Sequence, residues 1–126
     1  MSEHLHDWAT AWRGLRGEHA LADYGGIDNL MECVSSYVHE VASFNAANVW
    51  CMRVAAEVAS RSGDDDRAAL LLKEADEQAG HVNELYIEGS GFFHARQPDG
   101  SLIPVRHCYD FNIVGTTIAS DLSAEQ

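Results

Sequence analysis

Basic residues are scarce in this sequence, and their scarcity limits the classes of partner that the protein can bind. The 126 residues include 8 Lys and Arg against 20 Asp and Glu, which gives a formal net charge of −12 at pH 7. Such a charge repels phosphate backbones and anionic membrane surfaces, and no run of basic residues offers a nucleic-acid footprint. We therefore expect neither nucleic acid nor a membrane among its partners.

Cysteines are few, and their arrangement argues against both disulfides and zinc. The three cysteines, Cys33, Cys51 and Cys108, are odd in number and widely spaced, which disfavours a disulfide framework and fits a reducing compartment. A metal-dependent enzyme using them with His39 and His107 is a further alternative. Because no CxxC or HxxxH pair supports it, we expect no metal and no cofactor.

Long apolar runs are also absent from the sequence. No stretch approaches the ~18–20 apolar residues that a membrane-spanning helix needs. The first residues lack the basic and apolar regions of a signal peptide. A cytoplasmic location is therefore the expectation.

What the sequence does contain is helical periodicity, within a length that suits one domain over residues 1–126. Residues 3–22 place Leu5, Trp8, Trp12 and Leu15 at spacings of three and four, which predicts a helix with one buried apolar stripe. At the far end, Ser123 to Gln126 form a capping-box pattern that normally opens a helix. This pattern and the wide apolar helix faces predict that the domain is a piece of a longer chain, or that it pairs in a homo-oligomer.

A helical hairpin is predicted between Asn45 and Phe93. Ser43 or Asn45 should cap its first helix, Gly63 should end it, and the acidic run that follows Gly63 should cap the second. Gly80 within the second helix suggests a close approach to a neighbour. The face predicted to be buried on the first helix comprises Ala47, Trp50, Cys51, Val54, Ala55 and Val58, and that on the second comprises Leu71, Leu72, Ala75, Ala79, Val82, Leu85 and Tyr86.

Two segments outside the hairpin are the places to look for chemistry. Residues 23–44 lack clean periodicity and concentrate polar groups, as functional loops do. Residues 92–107 predict a β-hairpin around Pro98-Asp99-Gly100, and 113–120 predict a short helix. Asp110 stands between two aromatic residues. These apolar neighbours should raise the pKa of its carboxyl group.

The hairpin resembles the repeated unit of the (α/α)6-toroid glycosidases, which include trehalases, processing α-glucosidases and glycogen-debranching amylo-α-1,6-glucosidases. In that unit an "LNA" start, a helix rich in "AELA", a Gly turn and a "GFY" exit recur. The matching positions here are Phe44-Asn45-Ala46, Ala56-Glu57-Val58-Ala59, Gly63, Ala75, Leu85-Tyr86 and Gly91-Phe92. The resemblance implies a mainly α fold of antiparallel αα-hairpins that form part of a toroid, with the short β-hairpin added.

The resemblance also implies an inverting glycoside hydrolase that acts on or binds α-linked glucose-type carbohydrate through two carboxylates. From the residues themselves, Glu32 and Asp110 are the catalytic candidates. The candidates for substrate contact are Tyr37, His39, Asn45 and Trp50. Taken alone, the chain is expected to be inactive, because a toroid needs further hairpins to close its pocket. The alternative is a non-catalytic helical module that dimerises through its apolar faces.

Overall fold

The structure, a computed structural model, describes residues 2–26 and 35–126. Its helices are α1 (Ser2–Thr10), α2 (Ala42–Arg61) and α3 (Asp65–Asn83), and two strands, β1 (His94–Arg96) and β2 (Leu102–Pro104), form an antiparallel sheet. A helical C-terminal segment follows, made of a π turn (Asp110–Val114), a short α turn (Gly115–Thr117) and a 3-10 turn (Ala119–Asp121). The predicted mainly helical fold with one small sheet is confirmed.

The α2–α3 hairpin is the centre of the fold, and its turn follows the sequence signals. Gly63 adopts φ 80°, a conformation that costs glycine little. Asp64 then caps α3 by accepting a hydrogen bond from the Arg67 amide at 3.2 Å, while Asp65 and Asp66 occupy the first turn. The predicted ends of both helices at this turn are therefore correct.

The buried face of α2 differs from the predicted one. Of the six residues expected to be buried, Ala55 is in the core, whereas Trp50 is 50% exposed and Cys51 is also exposed. Leu72 of α3 was likewise expected inside and is 45% exposed. The residues of α2 that are buried are Ala42, Ser43, Asn45, Ala46, Val49, Met52, Ala55, Ala56 and Ala59. Small residues dominate this face, so α3 can lie close against it.

Two other structural expectations were wrong. The first helix ends at Thr10 and continues as a 3-10 turn (Ala11–Leu15), and its stripe is split, with Trp12 buried but Trp8 81% exposed. Gly80 of α3 makes no close approach to a neighbour, since beyond the adjacent residues and backbone of its own helix no described heavy atom lies within 4 Å of the position that a Cβ would take there. The periodicity of apolar residues alone does not predict which turn of a helix packs against another element.

The β-hairpin and the C-terminal segment pack around the start of α2. β1 pairs with β2 in the predicted hairpin, and its Arg96 also forms a β-bridge with Glu40, just before α2. The π turn of the C-terminal segment contacts α2. Ser123 and Gln126 exchange the reciprocal hydrogen bonds of a capping box, at 2.9 and 3.4 Å. Among the described residues, no helix is long and apolar enough to cross a membrane.

Candidate functional site

The first turn of α2 is capped from a distant part of the chain. Its N-cap residue, Val41, has no polar side chain with which to satisfy the free amides of the turn. Asp110, at the start of the π turn, does so instead: its Oδ1 accepts a hydrogen bond from the Ser43 amide at 3.1 Å. The carboxyl group therefore sits at the positive end of the α2 dipole.

Tyr37 completes a buried hydrogen-bond network around this carboxyl group. Its hydroxyl donates to Asp110 Oδ1 and lies 2.7 Å from the Ser43 Oγ. Because the single Tyr37 proton is used on Asp110, Ser43 is the donor in the second bond. Tyr37, Ser43 and Asp110 are all buried. Three polar side chains are thus held in one geometry by bonds to one another.

Burial shifts the ionisation of both acids in the network. It raises the pKa of Asp110 from 3.8 to about 6, although the bonds from Tyr37 and the Ser43 amide act in the opposite direction. Burial, and next the neighbouring Asp110, raise the pKa of the Tyr37 hydroxyl well above its usual range. The aromatic neighbours that suggested a raised pKa for Asp110 pointed in the right direction. Asp110 can therefore hold or release a proton near neutral pH.

His107 connects this network to the surrounding aromatic side chains. Its ring stacks on that of Tyr37 with centroids 4.4 Å apart, and it lies 4.7 Å from the ring of Tyr109. Its Nδ1 accepts a hydrogen bond from the Tyr109 amide at 3.1 Å, which places the proton of the neutral ring on Nε2. His107 therefore packs directly against the Tyr37 ring.

A small aromatic cavity opens beside Asp110. Its volume is about 80 Å³, and its lining includes Asp110, His107, Tyr86, Phe92, Phe93 and Phe111. Phe111 is 67% exposed and so presents a ring to solvent at this place. Because typical ligand pockets measure about 300–1,000 Å³, this cavity can receive one edge of a sugar ring but cannot enclose it.

The structure brings together two of the six predicted site residues, Asp110 and Tyr37. Glu32, the other catalytic candidate, lies outside the described residues. Asn45 is 2% exposed, and its amide bonds to the backbone of Ala22 and Val41 at 2.9 to 3.1 Å. These bonds give Asn45 a structural role in fastening the chain before α2.

His39 and Trp50 lie apart from this network in the contacts that the structure describes. His39 adopts φ 65°, and its Nδ1 lies 3.1 Å from Asp23 Oδ1, so it holds the loop around Gly25. Trp50 projects from α2, half exposed, and lies outside the set of described residues that line the cavity. Neither side chain contacts Asp110 in the described hydrogen bonds or ring contacts.

Sequence reasoning did not select several of the side chains that belong to the site. Phe92 and Phe111 line the cavity, and Ser43 joins the network although it was expected to cap α2 with its own hydroxyl. The aromatic residues flanking Asp110 were the available signal for Phe111. In residues 2–26 and 35–126, no group of three or more His, Cys, Asp or Glu side chains is placed to hold a metal ion.

Comparisons of the chain with protein-family models, with curated proteins and with solved structures gave no match. The function therefore has to be inferred from the chemistry of the site.

Proposed function

We propose that the chain is a glycoside hydrolase-like protein that binds α-linked glucose-type carbohydrate, with its αα-hairpin forming part of an (α/α)6 toroid. The observation that carries the proposal is Asp110, a buried carboxyl group with a pKa of about 6 at the edge of an aromatic cavity. Sugar-binding sites commonly combine a carboxyl group with aromatic faces, because the C–H faces of a sugar ring pack on aromatic rings while its hydroxyl groups need polar partners.

In this proposal Asp110 is the general acid. A glycosidic oxygen leaves more readily when a carboxylic acid protonates it, and a pKa of about 6 keeps that acid protonated in mildly acidic solution. Tyr37 and the Ser43 amide both bond Oδ1, so they fix the plane of the carboxyl group. Glu32 is the proposed second carboxylate, which would activate water for attack with inversion.

A sugar-binding experiment tests the proposal without depending on turnover. Titrating maltose or trehalose should give saturable amide shifts for residues 107–111 in two-dimensional NMR spectra. Asp110→Asn should weaken binding about tenfold, the cost of a lost hydrogen bond to a charged or acidic group. The matched control is Asp66→Asn, which changes an exposed carboxylate in the first turn of α3.

Absence of saturable shifts at about 0.1 M sugar, where a site with a millimolar dissociation constant would be full, would contradict the proposal. Equal affinities of the two variants and the unchanged protein would contradict the role of Asp110. Circular dichroism on each variant separates loss of binding from loss of fold.

A second candidate function, a non-catalytic module that dimerises, has its own supporting observation. α2 carries a second apolar stripe outside its buried face, in which Trp50 and Cys51 are exposed and Val54 and Val58 are half-buried. A helix that is apolar on more than one face normally contacts more than one neighbour. A copy of the same chain could provide that neighbour.

Sedimentation velocity under reducing conditions tests the dimer. If the protein is a dimerising module, it sediments with twice the mass of one copy. Trp50→Ala then raises the dissociation constant at least 30-fold, because loss of a Trp at the centre of an interface costs about 2 kcal/mol or more. Trp8→Ala, an exposed Trp on α1, is the control and should change nothing. A monomer at all concentrations would reject this candidate.

A further inference from the structure

We propose that a groove between the 3-10 turn (Ala11–Leu15) and α3 binds a small, soluble, multiply charged oxyanion of the phosphate type. The groove measures about 550 Å³, and its lining includes Arg13, Arg16, Arg67 and Lys73. It is separate from the cavity beside Asp110, so the inference does not depend on the proposed carbohydrate function.

The concentration of positive charge in this groove is the first observation. The chain has eight Lys and Arg in total, and four of them line this one surface although the net charge is −12. They come from two segments of the sequence, residues 13–16 and residues 67–73, so no basic run in the sequence predicts this cluster. Folding brings them together against two acidic lining residues, Glu74 and Glu77.

Arg13 is already committed to a protein partner. Its Nε donates to Glu74 Oε1 at 3.0 Å, and its Nη2 donates to Glu74 Oε2. Both oxygens of Glu74 are engaged by this fork, so Glu74 neutralises Arg13 more completely than it neutralises the other cations. The charge left to attract a ligand therefore belongs to the remaining three side chains.

Arg16 is held in place but has donors to spare. Its Nε donates to the Ala20 carbonyl at 3.0 Å, and its guanidinium lies 4.8 Å from the centre of the Trp12 ring. Its Nη2 is 4.0 Å from Glu74, beyond hydrogen-bonding distance. Within residues 2–26 and 35–126, no hydrogen bond uses its two terminal nitrogens. The guanidinium of Arg16 is thus already oriented for a planar, bidentate contact with an oxyanion.

Arg67 and Lys73 are held more loosely. Arg67 lies 3.2 Å from Asp64 through Nε, and Lys73 Nζ lies 3.8 Å from Glu77. Exposed pairs of this kind contribute little to stability, so a ligand displaces them at low cost. Each cation can therefore turn toward an anion in the groove.

The charge balance selects a compact anion over a long one. Charges further away than the Debye length of about 8 Å at physiological salt are largely screened, so a small anion interacts with the local cations. An extended polyanion would also meet the acidic remainder of the surface. More than one negative charge is needed because the ligand has to compete with Glu74 and Glu77 for the same cations.

The test uses inorganic pyrophosphate as the probe. Titration should produce saturable NMR shifts for the amides of residues 13–17 and 67–74, and the affinity should fall as salt is added. Arg16→Ala and Arg16→Lys should each weaken binding, by about tenfold for the alanine variant and less for the lysine variant, which keeps the charge but loses the fork. Arg61→Ala is the matched control, because Arg61 pairs with Glu57 on the exposed surface of α2.

A variant that strengthens binding makes the test more demanding. Glu74→Gln releases Arg13 and removes a competing charge, so it should tighten pyrophosphate binding several-fold. Equal weakening by Arg16→Ala and Arg61→Ala would overturn the proposal, because it would mean that net charge alone governs binding. Binding to vesicles of phosphatidylglycerol with no binding of pyrophosphate would overturn it as well.

Discussion

Replacing Asn45 by Ala is expected to lower the free energy of unfolding by about 3–5 kcal/mol, because both buried backbone groups of Ala22 lose their partner and the Val41 carbonyl keeps only the Asn45 amide at 3.4 Å. Its Oδ1 accepts from the Ala22 amide at 2.9 Å, and its Nδ2 donates to the carbonyls of Ala22 and Val41 at 3.1 and 2.9 Å. Each buried group left without a partner costs about 1–3 kcal/mol. Urea unfolding followed by circular dichroism measures the difference.

Asn48→Ala is the control for this substitution. Asn48 lies on the same helix, is partly exposed and bonds to the Tyr24 hydroxyl, so its loss should cost about 1 kcal/mol. Equal losses for the two variants would refute the structural role of Asn45. Retained stability together with lost sugar binding in Asn45→Ala would instead identify Asn45 as a substrate contact.

The second large effect is a dependence of stability on pH that comes from Asp110. Its pKa rises from 3.8 to about 6 on folding, so the folded state holds the proton more tightly than the unfolded state does. The resulting stabilisation is complete below about pH 4 and is lost as the pH rises through about 6. A shift of about 2 pH units corresponds to about 3 kcal/mol, with a slope of about −1.4 kcal/mol per pH unit between these limits.

Asp110→Asn isolates this contribution, because an amide has no proton to lose in this range. The stability of the unchanged protein minus that of Asp110→Asn should fall by about 3 kcal/mol between pH 4 and pH 7. Taking the difference is necessary because other carboxyl groups act in the opposite direction. Arg53, for example, lowers the pKa of Asp121, so the contribution of Asp121 is lost as the pH falls.

Asp66→Asn serves as the control for the pH series, because it removes one exposed carboxylate outside the buried network. A flat difference for Asp110→Asn would show that folding does not raise the pKa of this carboxyl group. That result would also remove the basis for assigning Asp110 as a general acid.

Local sequence signals predicted those parts of the fold that local interactions determine. The turn at Gly63 and Asp64 depends on one glycine conformation and one cap, and the β-hairpin depends on Pro98-Asp99-Gly100, so both could be recognised from a few adjacent residues. The buried face of α2 could not, because apolar residues occur on two sides of that helix. The face that is buried contains Ser43 and Asn45, which were expected to cap the helix instead.

The sequence predicted one part of the candidate site and missed the contacts between distant residues. Asp110 could be identified because its neighbours along the chain are aromatic. The contact between Tyr37 and Asp110 joins residues 73 positions apart, and no spacing rule relates positions so distant. The predicted local cap for α2 failed for the same reason, since the carboxyl group that performs this task comes from residue 110 rather than from residue 43 or 45.

Capping of α2 by Asp110 has a consequence for the order in which the chain folds. The α2–α3 hairpin can form from contacts close in sequence, and its acidic turn needs no distant partner. The first turn of α2, however, obtains its cap only when a segment 67 residues downstream has docked, which requires closing a long loop at an entropic cost that grows with its length. We infer that the start of α2 gains its cap only together with the aromatic cavity, because both need the segment around Asp110 to be docked.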